Sequence, residues 1–198
     1  MLALNLPRVD RDTIKSRNRM NTELLSPDSH PPASRSCGTC TLCCKVCDVP
    51  VLKKPAGKWC PHCNPGRGCA IHETRPDHCR AFQCLWIVYE AMGPEWKPER
   101  CHFVMTIDPA TGYTLVQVDP GQPAAWKKHE YYSKLKIAAA NAAEQDKHVI
   151  VFVNRHATVL FPDRDEVIGI LAHDERINIY RAQGLNGPVF QARKEKAA

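Results

Sequence analysis

The chain has 198 residues, which is enough for one ordinary domain or two small ones. Hydrophobic residues make up 43% of it and charged residues 24%, as in folded globular proteins. No apolar run approaches the length of a membrane-spanning helix. The N-terminal MLALNL is too short for a secretory signal, and its positive charge follows it. We therefore expect a cytoplasmic protein that does not bind membranes.

The formal net charge of +6 lies mainly beside the cysteines. Residues 37–84 contain seven Lys and Arg but only three Asp and Glu, so they carry four of the six net positive charges. Metal-bound thiolates are anionic, and nearby basic side chains can offset their charge. The chain has no long basic run and no basic stripe studded with aromatic residues, so the sequence gives little support for a nucleic-acid partner. No feature indicates a particular protein partner.

Residues 1–36 are polar and end in SPDSHPPASRS, so we predict a flexible leader without a function of its own. A cysteine module is predicted over residues 37–95, followed by an α+β domain over residues 96–198. Ten of the eleven cysteines lie in residues 37–84, and five of these fall within CGTCTLCCKVC, residues 37–47. In a reducing compartment such a cluster indicates metal binding more than a disulfide framework or inert thiols.

Two ligand templates compete for these cysteines. One is the C-x2-C-x2-C-x3-C run of bacterial ferredoxins, formed by Cys37, Cys40, Cys43 and Cys47. The other is a four-cysteine zinc site, formed by Cys37 and Cys40 with Cys60 and Cys63. Soft thiolates bind zinc, iron–sulfur clusters and Cu(I), so the spacing predicts a metal without identifying it. Nearby histidines His62, His72 and His78 are weaker ligand candidates, and Cys101 is expected in an apolar core.

One helix is predicted in the module, from a cap at Thr74 to the break at Gly93-Pro94. Pro76 would sit in its first turn, and its apolar face would comprise Phe82, Leu85, Trp86 and Tyr89. The charged residues at its start, Glu73, Arg75, Asp77 and Arg80, are expected to cap the helix and form salt bridges.

The C-terminal half shows strand and helix patterns in turn. HFVMTID and YTLVQVD predict a hairpin with a turn around residues 108–112. The alanine-rich stretch after Trp126 predicts a helix with its inner face at Tyr132, Leu135, Ala139 and Ala142. VIVFVN and ATVLF predict a second hairpin, and VIGIL and RINIY predict one or two more strands. The order predicts an α+β fold, with a small antiparallel sheet and one packed helix beside a metal-held cysteine module.

The two cysteine blocks also carry a family resemblance. CGTCTLCC at residues 37–44, followed by GCAIHETRPDHCRAF at residues 68–82, resembles the CxxCxxCC, YkgJ-like cysteine-cluster proteins of bacteria. His72 stands where that pattern usually has tyrosine. These proteins are described as zinc- or iron-chelating, or as iron–sulfur-cluster proteins. The resemblance implies a ligand set of Cys37, Cys40, Cys43, Cys44, Cys60, Cys69 and Cys79, with Cys47, Cys63 and Cys84 as secondary candidates.

Four functions compete at this point. The chain could be a metal-binding module without catalysis, an iron–sulfur redox protein, part of a modifying enzyme, or a zinc-knuckle nucleic-acid binder. Flagellin lysine methylases carry a related cysteine cluster, but the chain has no glycine-rich cofactor loop after a strand. We expect metal binding, and the sequence identifies no catalytic residue.

Overall fold

The computed structural model describes residues 35–185 and 187–197, so the predicted leader at residues 1–34 lies outside the described part. Within that part the helices are α1 (Cys43–Val46), α2 (Asp77–Ala81), α3 (Leu85–Val88), α4 (Pro98–Cys101) and α5 (His129–Ala143). Short 3-10 turns occupy Pro50–Leu52, Pro94–Trp96 and Ala125–Lys127. The strands are β1 (Cys63–Asn64), β2 (Gly68–Cys69), β3 (Phe103–Ile107), β4 (Thr114–Val118), β5 (Val149–Val153), β6 (His156–Leu160), β7 (Asp165–Ile170), β8 (Glu175–Gly184) and β9 (Gly187–Lys196). The predicted α+β class is confirmed.

The main sheet has five strands in the order β3-β4-β5-β6-β7. Both predicted hairpins are present, because β3 pairs with β4 and β5 pairs with β6 in antiparallel register. The β4–β5 pair is parallel. The sheet is therefore mixed, whereas the sequence analysis predicted a wholly antiparallel one. The cause is α5, which carries the chain back along the sheet before β5 begins, as a crossover between parallel strands must.

Each face of this sheet is covered by a different element. On one face α5 packs through Tyr131, Leu135 and Ala139 onto the side chains of Val149 and Val151. The alternate residues of β5 point the other way, and there Ile150 belongs to a cluster with Phe190 of β9. The β8–β9 hairpin therefore lies against the sheet face opposite α5.

The cysteine module covers the edge strand of the sheet. Val104 of β3 is 1% exposed and clusters with Leu42 and Val46 of the first cysteine segment. Since Phe103 belongs to the core beneath α5, its neighbour Val104 points to the opposite face. Apolar packing therefore joins the two stretches that the sequence analysis separated at residue 95.

Two local predictions need correction. The single helix after Thr74 is two short helices, because residues 82–84 are extended and α2 begins with Pro76 as its N-cap. In extended backbone Phe82 and Cys84 lie on the same side, and both pack against the Val104 cluster; a continuous helix would point them apart. The inner face of α5 includes Leu135 and Ala139 as predicted, but its ends shift by one residue.

At those ends Tyr131 and Ala143 are buried, where Tyr132 and Ala142 were expected. The strand β9 was not predicted at all, because only two of its side chains, Phe190 and Ala192, are buried. No helix in residues 35–185 and 187–197 combines the length and apolar character that crossing a bilayer requires.

Candidate metal centre

The first cysteine segment is a tight turn followed by α1. The N–H of Cys40 donates to the carbonyl of Cys37 at 2.9 Å, and Gly38 between them has a φ of +55°, a conformation that favours glycine. Leu42 and Val46 are buried and anchor the segment. This anchoring fixes where the cysteines of the segment point.

Cys43 and Cys44 are consecutive residues of α1, so their side chains diverge by about 100° around the helix axis. Cys43 lines a small cavity, whereas the Cys44 thiol interacts with the Cys63 thiol of the hairpin. The largest influence on Cys44 is the neighbouring Cys43 thiol, which raises the pKa of Cys44. Cys44 therefore lies between the thiols of its own helix and those of the hairpin.

The second cysteine segment is a small hairpin held against the first segment. The N–H of Cys60 donates to the carbonyl of Cys44 at 2.9 Å. Cys63 and Cys69 are directly paired across β1 and β2. The N–H of Gly66 in the hairpin loop donates to Oγ1 of Thr41, which is buried, at 3.2 Å. Thiols from two distant parts of the sequence are thereby brought together.

Cys79 on α2 joins this group. Its thiol interacts electrostatically with those of Cys44, Cys60 and Cys69. Burial, followed by these interactions, raises the pKa of Cys79. Four residues of the ligand set implied by the resemblance therefore share one neighbourhood, and Cys63, a secondary candidate, lies within it.

The other three residues of that set lie around the cavity. It has a volume of about 20 Å³ and is lined by Cys37, Cys40, Cys43 and Cys84, with Trp86 and Val104 among the other lining residues. The Cys84 thiol interacts electrostatically with those of Cys40 and Cys37. Cys84 was only a secondary candidate, because α3 approaches Cys37 through tertiary packing and not through sequence spacing.

Burial is the largest cause of the raised pKa of Cys37, Cys47 and Cys63. It raises the pKa of Cys47 to about 12 and the pKa of Cys63 to about 11. For Cys37 the positive charges of Arg75 and Lys97 oppose the effect of burial, and the pKa is still raised. These three groups are neutral thiols at pH 7, so binding a metal would release protons.

Two basic residues that the sequence analysis did not single out stabilise the module. Lys54 is 3% exposed, and its ammonium donates to the carbonyls of Lys45 and Cys47 at the end of α1. Burial lowers the pKa of Lys54, and the thiols of Cys47 and Cys60 oppose that shift. A buried lysine cannot be told from its exposed neighbours in the stretch VLKKPAGK by composition alone.

Arg35, at the start of the described residues, closes the turn after α3. Its guanidinium donates to the carbonyls of Trp86, Met92 and Glu90, at 3.0, 2.8 and 2.7 Å. The same group lies 4.9 Å from the centre of the Trp86 ring. The last residues of the predicted leader therefore help to position one wall of the cavity.

The remaining candidates from the sequence are Cys101, Arg80 and two histidines. Cys101 is 1% exposed, lies in the core beneath α5 as predicted, and donates to the carbonyl of Phe103. Arg80 donates to the carbonyls of Arg75 and Glu73 and forms a salt bridge with Asp77 at 3.7 Å, as predicted, but the predicted capping is wrong because α2 has no side-chain hydrogen bond at its N-cap, Pro76. His72 and His78 are exposed.

The donor set fits a thiophilic metal in chemistry, although its side chains are not gathered around one point. In the described part of the chain no group of three or more His, Cys, Asp or Glu residues is arranged to hold a metal ion. Soft sulfur ligands, interactions of the Cys44 thiol with two other thiols, and a thiol-lined cavity are present nonetheless. The backbone places these thiols together, and coordination would require their side chains to turn.

Comparison of the chain with protein-family models, with curated proteins and with solved structures gave no match. The resemblance to the YkgJ-like cysteine-cluster proteins therefore stays a prediction that rests on the quoted motifs.

Proposed function

We propose that this chain is a metal-binding protein of a reducing, cytoplasmic compartment, related to the CxxCxxCC cysteine-cluster proteins. Its thiolates hold zinc or an iron–sulfur cluster. The carrying observation is that the hydrogen bond from Cys60 to the carbonyl of Cys44 joins the two cysteine segments, where the Cys44 thiol interacts with those of Cys43 and Cys63 in a neighbourhood shared with Cys79. A soft metal would bind such sulfurs as a folded unit.

The composition of the module supports the same proposal. Its helices are only four or five residues long, and its hairpin has two residues per strand. The apolar cluster that anchors it has three buried members, Leu42, Val46 and Val104. So little buried apolar surface is a weak basis for a fold, whereas metal–thiolate bonds contribute directly to folding free energy.

The test is metal analysis of the full chain purified without oxygen. We expect at least one equivalent of zinc or iron per chain. Zinc would leave the protein colourless, and an iron–sulfur cluster would make it brown. Less than half an equivalent of any transition metal, together with intramolecular disulfides detected by mass spectrometry, would contradict the proposal.

A further inference from the structure

We propose that the thiols of the module form two adjacent metal sites. One of them is the cavity lined by Cys37, Cys40, Cys43 and Cys84, and it takes a single soft divalent cation. Trp86 serves there as a hydrogen-bond donor to a coordinated sulfur. This inference rests on the proposed metal-binding function and adds the partition of the ligands, the nuclearity of one site and the role of Trp86.

The first argument is the grouping of the thiols. Cys43 lines the cavity, whereas Cys44, the next residue of α1, interacts with Cys63 of the hairpin as well as with Cys43. Cys79 interacts with Cys44, Cys60 and Cys69, which are not among the residues that line the cavity. The cavity instead gains its fourth thiol from Cys84, which interacts with Cys40 and Cys37.

The second argument is an unpartnered donor. Trp86 lines the cavity, and its indole Nε1–H is buried without a hydrogen-bond acceptor among the residues that the structure describes. Leaving a buried N–H without an acceptor is unfavourable, and such groups usually have a partner. A metal-bound thiolate is an anionic acceptor, so cation binding in the cavity would satisfy this donor.

Volume and charge identify the class of ligand. A cavity of about 20 Å³ has room for one water-sized body, which suits a single ion. Four thiols that bind a divalent cation release four protons and leave a site with two net negative charges. Arg35 and Lys97, whose cationic groups lie 4.9 and 5.7 Å from the centre of the Trp86 ring, can offset that charge.

The test is a titration of the reduced, metal-free full chain with Co²⁺ alone, followed by the thiolate-to-cobalt charge-transfer absorption. We expect two equivalents for the wild type and one for Cys84→Ser. Cys101→Ser is the matched control, because Cys101 is buried outside the module and serine can make the same hydrogen bonds. That variant should still bind two equivalents.

Trp86→Phe tests the donor separately from folding. We expect it to retain two equivalents, to shift the charge-transfer band of one of them, and to weaken that site about tenfold, since it loses one hydrogen bond to a charged sulfur. Trp59→Phe is the control, because Trp59 is 43% exposed and is not part of the cavity lining. It should leave both sites unchanged.

Alkylation of the wild type keeps the proposal testable if Cys84→Ser fails to fold. Loading with two equivalents of Co²⁺ should protect Cys84 together with Cys37, Cys40 and Cys43, as mapped by mass spectrometry. No Co²⁺ binding at all would overturn this inference, and metal analysis of protein purified without oxygen would separately decide the proposed function. Binding that leaves Cys84 as reactive as in the metal-free chain, or a cluster containing Cys84 in protein purified without oxygen, would overturn this inference while the proposed function stands.

Discussion

Lys45 of α1 and Asp119, the residue after β4, form a salt bridge with 2.6 Å between Nζ and Oδ1. Both side chains are largely buried, at 20% and 14% exposure. Asp119 also accepts the N–H of Gly121 at 2.8 Å. The pair connects the helix that carries Cys43 and Cys44 to the end of a central strand, so the cysteine module is fixed to the sheet by charge as well as by the packing of Val104.

The first prediction follows from this pair. Lys45→Met leaves the Asp119 carboxylate without its cation, and we expect a loss of about 1–2 kcal/mol in the free energy of unfolding. Urea unfolding of the metal-loaded protein measures it. The control is Arg181→Gln, which breaks a pair with Asp146 whose side chains are more than half exposed. That change should cost less than about 0.5 kcal/mol, and equal effects of the two substitutions would contradict the prediction.

The second prediction concerns Lys54. Lys54→Met keeps the apolar stem of the side chain but removes the ammonium, which leaves the carbonyls of Lys45 and Cys47 without this donor. We expect a destabilisation of about 2 kcal/mol, because buried acceptors lose a charged partner. Lys53→Met, at the exposed neighbouring position, is the control and should stay within about 0.5 kcal/mol of the wild type. A Lys54→Met variant as stable as the wild type would show that the ammonium is dispensable.

Local periodicity predicted much of the sheet half. Hairpins and the helix α5 are encoded over short stretches, so alternation around Val116 and Val151 was sufficient to find their strands. The parallel β4–β5 pair could not be read in this way, because the pairing of distant strands depends on where α5 delivers the chain. The break at residues 82–84 was missed for a similar reason, since packing against Val104 overrides the helical pattern.

The candidate site, too, could be predicted from the sequence only in part. Cysteine spacing predicted metal ligands among Cys37–Cys63, since metal sites use short sequence separations, and only the family resemblance extended the set to Cys69 and Cys79. It did not predict the grouping of Cys84 with Cys37 and Cys40, which arises when α3 packs beside β3. Nor does any sequence pattern reveal that Trp86 has a buried N–H without an acceptor.

The third prediction concerns metal removal. We expect a chelator to increase hydrogen exchange first at module amides such as that of Cys60, which donates to Cys44 in the first cysteine segment, and that of Ala70, which donates to His62 within the second. Amides of β5, Val149–Val153, should stay protected, because its side chains lie in apolar clusters on both sheet faces. Exchange followed by mass spectrometry distinguishes the two regions.

The opposite result would also be informative. Loss of protection in β5 together with the module would show that chain segments on both sides of residue 95 unfold as one cooperative unit. Unchanged exchange everywhere after complete metal removal would show that the metal does not support the fold. Protein kept at the same temperature without chelator is the control for general fraying of the chain.

The last prediction is an acid sensitivity centred on His148. Its side chain is 3% exposed and makes edge contacts with the rings of Tyr113, Phe161 and Phe190 at centroid distances of 4.9–5.7 Å. Burial among these rings lowers the pKa of His148 from 6.5 to about 4, although the nearby Asp146 carboxylate opposes the shift. The folded protein therefore holds this imidazole neutral.

The sign of the pH dependence follows from where the protons bind. Between pH 6.5 and about 4 the unfolded chain protonates His148 and the folded chain does not, so the free energy of unfolding falls as the pH is lowered through this window. The shift corresponds to roughly 3 kcal/mol. Urea unfolding at pH 7, 5.5 and 4.5 should show a shallower decline for His148→Phe than for the wild type. His156→Gln, at an exposed strand position, should keep the wild-type profile, and parallel profiles for His148→Phe and the wild type would contradict the prediction.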